Sequence, residues 1–246
     1  MLQKEIDIEA QWIQLTDTIE KYIGDRSKSL LALYESLANT ICTAPASAHR
    51  DRHNCFPGGY IDHVNRVVRC SLQLWDAWSA AGHNHTGYTK EELVFSALNH
   101  DLGKVGDGNG EEYYVMNDSS WHVERGAIYK INPKLQFFKV PDRSLVILNK
   151  AGIVVSENEY LAIKLHDGLY SKGNESYLMA QNEFALRNDL PLLLHHADHL
   201  ATMIEGQIHN VPQVSNKPKT GLKTQIINPK SDQAVGDSVI NNFFKD

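Results

Sequence analysis

Apolar side chains recur every three to four positions over most of the first 208 residues, which is the period of an amphipathic α-helix. The segment 59–81 has the broadest apolar side and should form the most deeply buried helix. Thr89, with Glu92 three positions later, is a capping box that marks another helix start. The pattern predicts helices over 6–23, 27–41, 59–81, 89–101, 142–150, 157–165 and 186–207.

Two short segments depart from this period. Residues 112–116 and 127–131 are rich in Tyr, Val and Ile, which is typical of short strands. The sequence therefore predicts a mainly α fold with a small β-hairpin insertion. We expect one helical domain over residues 1–208, followed by a flexible tail over 209–246 that has the composition of a linker and could end in a short terminal helix.

Composition narrows the class of protein. A chain of 246 residues with 42% hydrophobic content can bury one full core. The net charge of −6 disfavours a protein that grips a long nucleic acid, but it permits a small anionic partner. Cys42, Cys55 and Cys70 include no CxxC pair, which favours a reducing compartment. With neither a secretion signal nor a membrane span in the sequence, we expect a cytoplasmic protein without a membrane partner.

The candidate chemistry centres on the dipeptide His100-Asp101 at the end of a predicted helix. Adjacent helical side chains diverge, so two that share an ion need a turn in the backbone, and Gly103 supplies that freedom. An imidazole next to a carboxylate suggests metal-assisted chemistry. The other candidate donors along the chain are His63, His122, His166 and Asp198.

The order of these donors, with the pentapeptide HDxGK at residues 100–104, resembles the HD superfamily of metal-dependent phosphohydrolases. The resemblance covers about residues 45–205 and implies an HD-domain helical bundle around one or two divalent ions. It also implies that Asp101 is catalytic and that Lys104 approaches the substrate phosphate as a mobile positive charge. The metal ligands that it implies are His63, His100, Asp101, His122, His166 and Asp198.

The types of ligand limit which metal ions could bind. Imidazole and carboxylate together suit Mn, Fe, Co, Ni or Zn, with Mg open at a second site, and the lack of cysteine argues against structural zinc. Six donors exceed the needs of one open tetrahedral ion, so a dinuclear centre bridged by Asp101 is predicted, with His122 and His166 on the second ion. Metal-activated water would then cleave a phosphate ester or anhydride of a nucleotide or short oligonucleotide.

Three residues are expected to contact a small phosphorylated substrate: His53, Arg66 and Lys104. His53 precedes Gly58-Gly59 at the place where HD-type 3′-5′ exoribonucleases and the HD domains of conjugative relaxases have a His-His pair. Here the pair is His53-Asn54. The alternative for His53 is a loop residue with no role. His195 and His199, near Asp198, are expected to pack beside the site.

Two other functions stay open at this stage. The same donor order resembles the mixed-valence di-iron oxygenases of the HD fold, since iron accepts all of these ligands. Separately, Ile240 stands three places before Phe243-Phe244, which resembles the terminal peptides by which replication proteins dock on sliding clamps. That resemblance would make the chain a non-catalytic interaction module, whereas a terminal helix that folds back on the domain is the simpler alternative.

Overall fold

The computed structural model describes residues 6–209, and within that range the chain forms ten α-helices and a two-stranded antiparallel sheet. The prediction of a mainly α fold with a small hairpin is confirmed. The predicted tail, its terminal helix and the docking peptide lie, from residue 210 onward, outside the described residues.

The helices are α1 (Ile8–Tyr22), α2 (Ser27–Ser36), α3 (Ala38–Thr43), α4 (Gly59–Ala80), α5 (Lys90–Asn99), α6 (Ser120–Glu124), α7 (Val140–Lys150), α8 (Glu157–Leu165), α9 (Glu175–Leu178) and α10 (Leu190–His209). The strands are β1 (Tyr114–Met116) and β2 (Tyr129–Ile131).

Helix α4 is the centre of the core, as its broad apolar side predicts. It packs against α1, α3, α5 and α10. Its side chains Ile61, Val64, Val67 and Val68 are buried. Full burial of an aliphatic side chain contributes about 1.5–3 kcal/mol, so this one face supplies a large share of the core's stabilisation.

The turn after α5 is made at Asp101 rather than at Gly103. Asp101 leaves the helical conformation at φ −108° and ψ 11°, and a short 3₁₀ turn follows. The expected role of Gly103 is therefore wrong, because its φ is not positive. A Cβ at Gly103 would lie 2.3 Å from the carbonyl oxygen of Val140, so this glycine allows the start of α7 to pack against the turn.

A buried serine ties α7 to the same turn. The Ser144 hydroxyl accepts a hydrogen bond from the amide of Gly103 at 2.8 Å. It lies 3.2 Å from the carbonyl oxygen of His100, to which it can donate. The backbone on both sides of Asp101 is thus held by one side chain.

Several predicted boundaries shift. The predicted helix 27–41 divides into α2 and α3 at Leu37, whose φ of −105° and ψ of 5° leave the helical region. Helix α7 begins before Asp142, because Pro141 fits the first turn of a helix, where its missing N–H is not needed. Helix α10 begins at Leu190 rather than at residue 186, where the side chain of Asn188 accepts a hydrogen bond from the Leu190 amide.

The hairpin is joined to the loop that precedes α4. Strands β1 and β2 pair antiparallel, with Tyr114 opposite Ile131. The amide of Tyr129 donates to the carbonyl of Ala48 at 3.0 Å, and a bridge joins His49 to Ala127. These bonds hold the hairpin against the loop.

Candidate metal centre

Five of the six predicted ligands meet in one buried cluster. His63 lies on α4, His100 and Asp101 at the end of α5, His166 at the end of α8, and Asp198 on α10. The Nε2 atom of His63 lies 3.2 Å from Asp198 Oδ1 and 3.4 Å from Nε2 of His100. Asp101 contacts two of the histidines, with one carboxylate oxygen 3.5 Å from His100 Nε2 and the other 3.7 Å from His166 Nε2.

Each of the three imidazoles is anchored through its Nδ1 atom. His100 donates from Nδ1 to the carbonyl of Ala97 at 2.8 Å, and His166 donates to the carbonyl of Ile163 at 2.8 Å. Because a carbonyl only accepts, the Nδ1 atoms of these rings carry the hydrogen and their Nε2 lone pairs face the cluster. This is the arrangement that metal-binding histidines adopt in proteins.

His63 is anchored by a carboxylate instead. Glu205 on α10 accepts a hydrogen bond from His63 Nδ1 at 3.1 Å and another from Arg66 Nε at 3.2 Å. Glu205 is fully buried. It was not among the predicted ligands, although it stands seven residues after Asp198 and therefore on the same face of α10, two turns further along.

The histidines of the cluster differ in pKa, because their charged neighbours differ. Burial lowers the pKa of His63, but Glu205 and Asp198 outweigh it and raise the pKa to about 10. Burial lowers the pKa of His100 to about 4, since the neighbouring histidines add repulsion to it. Burial lowers the pKa of His166, but Asp167 and Asp101 outweigh it and raise the pKa. Without a bound ion, His63 therefore carries a proton on Nε2, and a metal ion would displace it.

Asp101 and Lys104 form the most closely paired charges of the site. Lys104 Nζ lies 2.6 Å from Asp101 Oδ2. Burial raises the pKa of Asp101, yet Lys104 and the surrounding imidazoles hold it well below its usual range. Burial lowers the pKa of Lys104, and Asp101 more than reverses that shift, so the ammonium stays charged.

The donor set fits a divalent transition-metal ion. Ligand atoms within 4.8 Å of one another occur in three groups of the described residues. Two consist of predicted ligands, His63–His100–Asp198 and His100–Asp101–His166, and the third is His53–His63–Glu205. Three free imidazole nitrogens with two carboxylates and no thiolate suit Mn, Fe, Co, Ni or Zn. The buried residues of this cluster could therefore hold a metal ion, and they leave its identity open.

His122 and Arg66 do not take the expected places. His122 is exposed on α6 and belongs to none of the donor groups found among the described residues. The prediction of His122 as a metal ligand is therefore not supported, and the other five predicted ligands form the cluster. Arg66 is paired with Asp62 at 3.0 Å and with Glu205, so it fixes buried carboxylates instead of facing a substrate.

His53 does reach the site. Its ring centroid lies 4.8 Å from that of His63, and its buried Nε2 has no hydrogen-bond partner among the described residues. Burial, together with the charges of His63 and Lys104, lowers the pKa of His53 to about 3, so the ring is neutral. The neighbouring Asn54 donates to Asp62 at 2.9 Å and so fixes this loop to α4.

Two residues beside Asp198 and His166 complete the surroundings. His195 Nδ1 donates to the carbonyl of His166 at 2.7 Å, which is the packing role expected for it. Asp167 was not predicted, although it directly follows His166. Its carboxylate lies 3.6 Å from His166 Nε2 and it lines the cleft above the cluster.

Comparisons of the chain with models of protein families, with curated proteins and with solved structures found no match. Within residues 6–209, no helix is both long enough and apolar enough to cross a membrane.

Proposed function

We propose that the protein is a metal-dependent phosphohydrolase that cleaves a phosphate ester or anhydride of a nucleotide or short oligonucleotide. The observation that carries the proposal is the convergence of three anchored imidazoles and two carboxylates beside a charged lysine, at the floor of a cleft. The resemblance of the pentapeptide at 100–104 and of the donor order to the HD superfamily supports the same reading.

In this proposal one divalent ion is held by the cluster residues His63, His100, Asp101, His166 and Asp198. Bound there, it would act as a Lewis acid toward a phosphate oxygen and lower the pKa of a water molecule. The hydrogen bonds of the three Nδ1 atoms fix the orientation of the imidazole rings, so their Nε2 atoms face the cluster in the absence of an ion.

Lys104 serves the phosphoryl group directly. Its ammonium has three N–H donors, and Asp101 takes one of them at 2.6 Å. The lysine also lines the cleft, so the remaining donors are available to phosphate oxygens. A fixed positive charge at that place stabilises negative charge that develops on the phosphoryl group.

His53 and Asp167 also line the cleft and can contact the substrate or a water molecule there. The neutral His53 ring offers its unpartnered Nε2 side to a phosphate oxygen or to water. The carboxylate of Asp167 can accept a hydrogen bond from water and so orient it. In this proposal His53 contacts the substrate, whereas Arg66 does not, because it is ion-paired with Asp62 and Glu205.

The di-iron oxygenase alternative has less support. A second ion was expected to use His122 and His166, and only His166 reaches the cluster. Five donors can satisfy one six-coordinate ion with one position left open, whereas two irons would have to share them.

Hydrolysis of phosphorylated compounds tests the proposal. The purified chain is loaded with Mn²⁺ or Co²⁺ and offered a panel of nucleotides and short oligonucleotides. We expect hydrolysis by the wild type, loss of both metal and turnover in Asp101→Ala, and no change in Asp107→Ala, a matched aspartate on a loop outside the cluster. Full activity of Asp101→Ala, or no hydrolysis of any phosphate by the metal-loaded wild type, would overturn the proposal.

A further inference from the structure

The cleft above the cluster has two lobes. The first, here the metal lobe, has a volume of about 340 Å³ and is lined by four of the candidate ligands and by aromatic side chains. The second, here the polar lobe, has a volume of about 720 Å³ and lies between the loop 46–53 and the hairpin. His53, Lys104 and Asp167 line both lobes. The lobes therefore meet at Lys104, beside the candidate metal centre.

The metal lobe has an aromatic entrance. Tyr113, Phe137 and Phe138 line it, and the side chain of Phe137 is 75% exposed. A phenyl ring left in solvent at the mouth of a polar site offers a flat apolar face. That face suits stacking against a planar aromatic group such as a nucleobase.

The polar lobe has a different chemistry. Arg52, His49 and Tyr114 line it. Arg52 is exposed and forms no ion pair with any residue in the 6–209 range. A free guanidinium fork at a cleft is suited to a phosphate or to the oxygens of a sugar-phosphate backbone.

The backbone on both sides of the polar lobe is held together by hydrogen bonds. The hairpin wall of the polar lobe is fixed by the bond from the Arg50 amide to the Gly126 carbonyl at 2.7 Å and by the bond from Tyr129 to Ala48. Gly126 has a φ of +97°, and a Cβ there would lie 2.7 Å from the ring of His49. Glycine at this position therefore lets the loop and the hairpin approach closely and shape the lobe.

Resting on the proposed function, we infer that the substrate is a phosphodiester whose phosphorus lies at the junction of the lobes, with one ester substituent in each lobe. A phosphomonoester carries an organic group on one side only and would leave a lobe empty. The aromatic entrance and the free arginine fit a nucleobase and a sugar-phosphate group. The substrate class is therefore a dinucleotide or the end of a short oligonucleotide.

The reaction balances as a hydrolysis. The oxygen of a water molecule forms a bond to phosphorus, and the bond between phosphorus and one ester oxygen breaks. The departing oxygen takes up one proton that the water gives up. The products are a phosphomonoester, which stays on one side of the junction, and an alcohol, which leaves from the other.

The first experiment compares substrates on the whole chain loaded with Mn²⁺. We expect kcat/KM for the dinucleotide ApA to exceed that for AMP by about 10-fold or more, because both lobes are filled. Hydrolysis of AMP or of nucleoside triphosphates with no cleavage of ApA would overturn this inference and leave the proposed function intact. Failure to hydrolyse any phosphate would instead remove the proposed function itself.

The second experiment tests each lobe with a surface variant that does not threaten folding. Phe137→Ala and Arg52→Ala are each expected to raise KM for ApA about 10-fold with kcat little changed, since stacking and a charged hydrogen bond are lost. The matched controls are Phe184→Ala and Arg69→Ala, both exposed and outside the two lobes. If only one of the two lobe variants changes KM, the other lobe is unused and the diester assignment is wrong.

Discussion

Glu205 accepts a hydrogen bond from Nδ1 of His63 at 3.1 Å, and that bond leaves Nε2 of His63 as the atom that faces Asp101 and Asp198. The relationship links the end of α10 to the start of α4. It also explains why a buried acid is retained in the core, because Arg66 and His63 together compensate its charge.

The first prediction concerns Glu205→Gln. The variant keeps the size and an acceptor oxygen but loses the charge that favours the Nδ1–H tautomer of His63. We expect the affinity for Mn²⁺, measured by titration calorimetry, to fall about 10- to 100-fold. Glu124→Gln on the exposed helix α6 is the matched control. An unchanged affinity in Glu205→Gln would mean that this bond does not orient a metal ligand.

The second prediction separates Lys104 from metal binding. Lys104→Ala removes the positive charge beside the phosphoryl group but none of the imidazole donors. We expect kcat for hydrolysis of the phosphorylated substrate to fall about 100-fold or more while the metal content stays at the wild-type level. Lys134→Ala, at a well-exposed lysine, should behave as wild type. Wild-type turnover in Lys104→Ala would contradict the proposed role.

The third prediction tests the close approach at Gly103. A Cβ there would meet the Val140 carbonyl at 2.3 Å, so Gly103→Ala forces α7 away from the turn that carries Asp101. We expect the free energy of unfolding to fall by about 1–3 kcal/mol in a denaturant titration. Gly206→Ala has no atom within 4 Å of its new methyl group and lies in α10, so it should be neutral or stabilising. Equal effects of the two substitutions would refute the steric argument.

The fourth prediction concerns pH and a histidine far from the metal centre. The ring of His85 is stacked on Trp75 at 3.7 Å and lies in hydrogen-bonding distance of the Tyr88 hydroxyl at 2.9 Å. Burial lowers the pKa of His85. Since the folded pKa lies below the unfolded one, the stabilisation from His85 is present above the unfolded pKa and is lost as the pH falls below it.

The measurement compares wild type with His85→Phe, which keeps the stacking but cannot titrate. The difference in unfolding free energy between the two proteins should shrink from about pH 8 to about pH 5. Other titrating groups are common to both proteins and cancel. A difference that stays constant or grows on acidification would show that the folded protein does not favour the neutral imidazole.

Much of the fold could be predicted because local rules decide it. The capping box at Thr89 and the apolar side of α4 depend on neighbours in sequence, and both are observed. The start of α10 also follows a local rule, since Asn188 is a preferred capping residue and its side chain accepts a hydrogen bond from the Leu190 amide. The apolar pattern alone did not indicate the break at Leu37.

Some residues of the candidate site could also be predicted from the sequence, and others could not. His100 and Asp101 belong to a recognisable pentapeptide, so their place in a shared cluster could be anticipated. The spacing of Glu205 from Asp198 places both on one face of α10, but only the packing of α4 against that face shows that Glu205 is buried beside His63. His122 matched an expected order of donors, but order along a chain does not bring α6 to the cluster.

Anomalous diffraction from crystals grown with Mn²⁺ or Co²⁺ would locate the bound ion directly. We expect one anomalous peak at bonding distance, about 2.0–2.2 Å, from Nε2 of His63, His100 and His166 and from carboxylate oxygens of Asp101 and Asp198. A fully occupied peak elsewhere on the molecule, with these five side chains free of metal, would rule out the proposed metal centre.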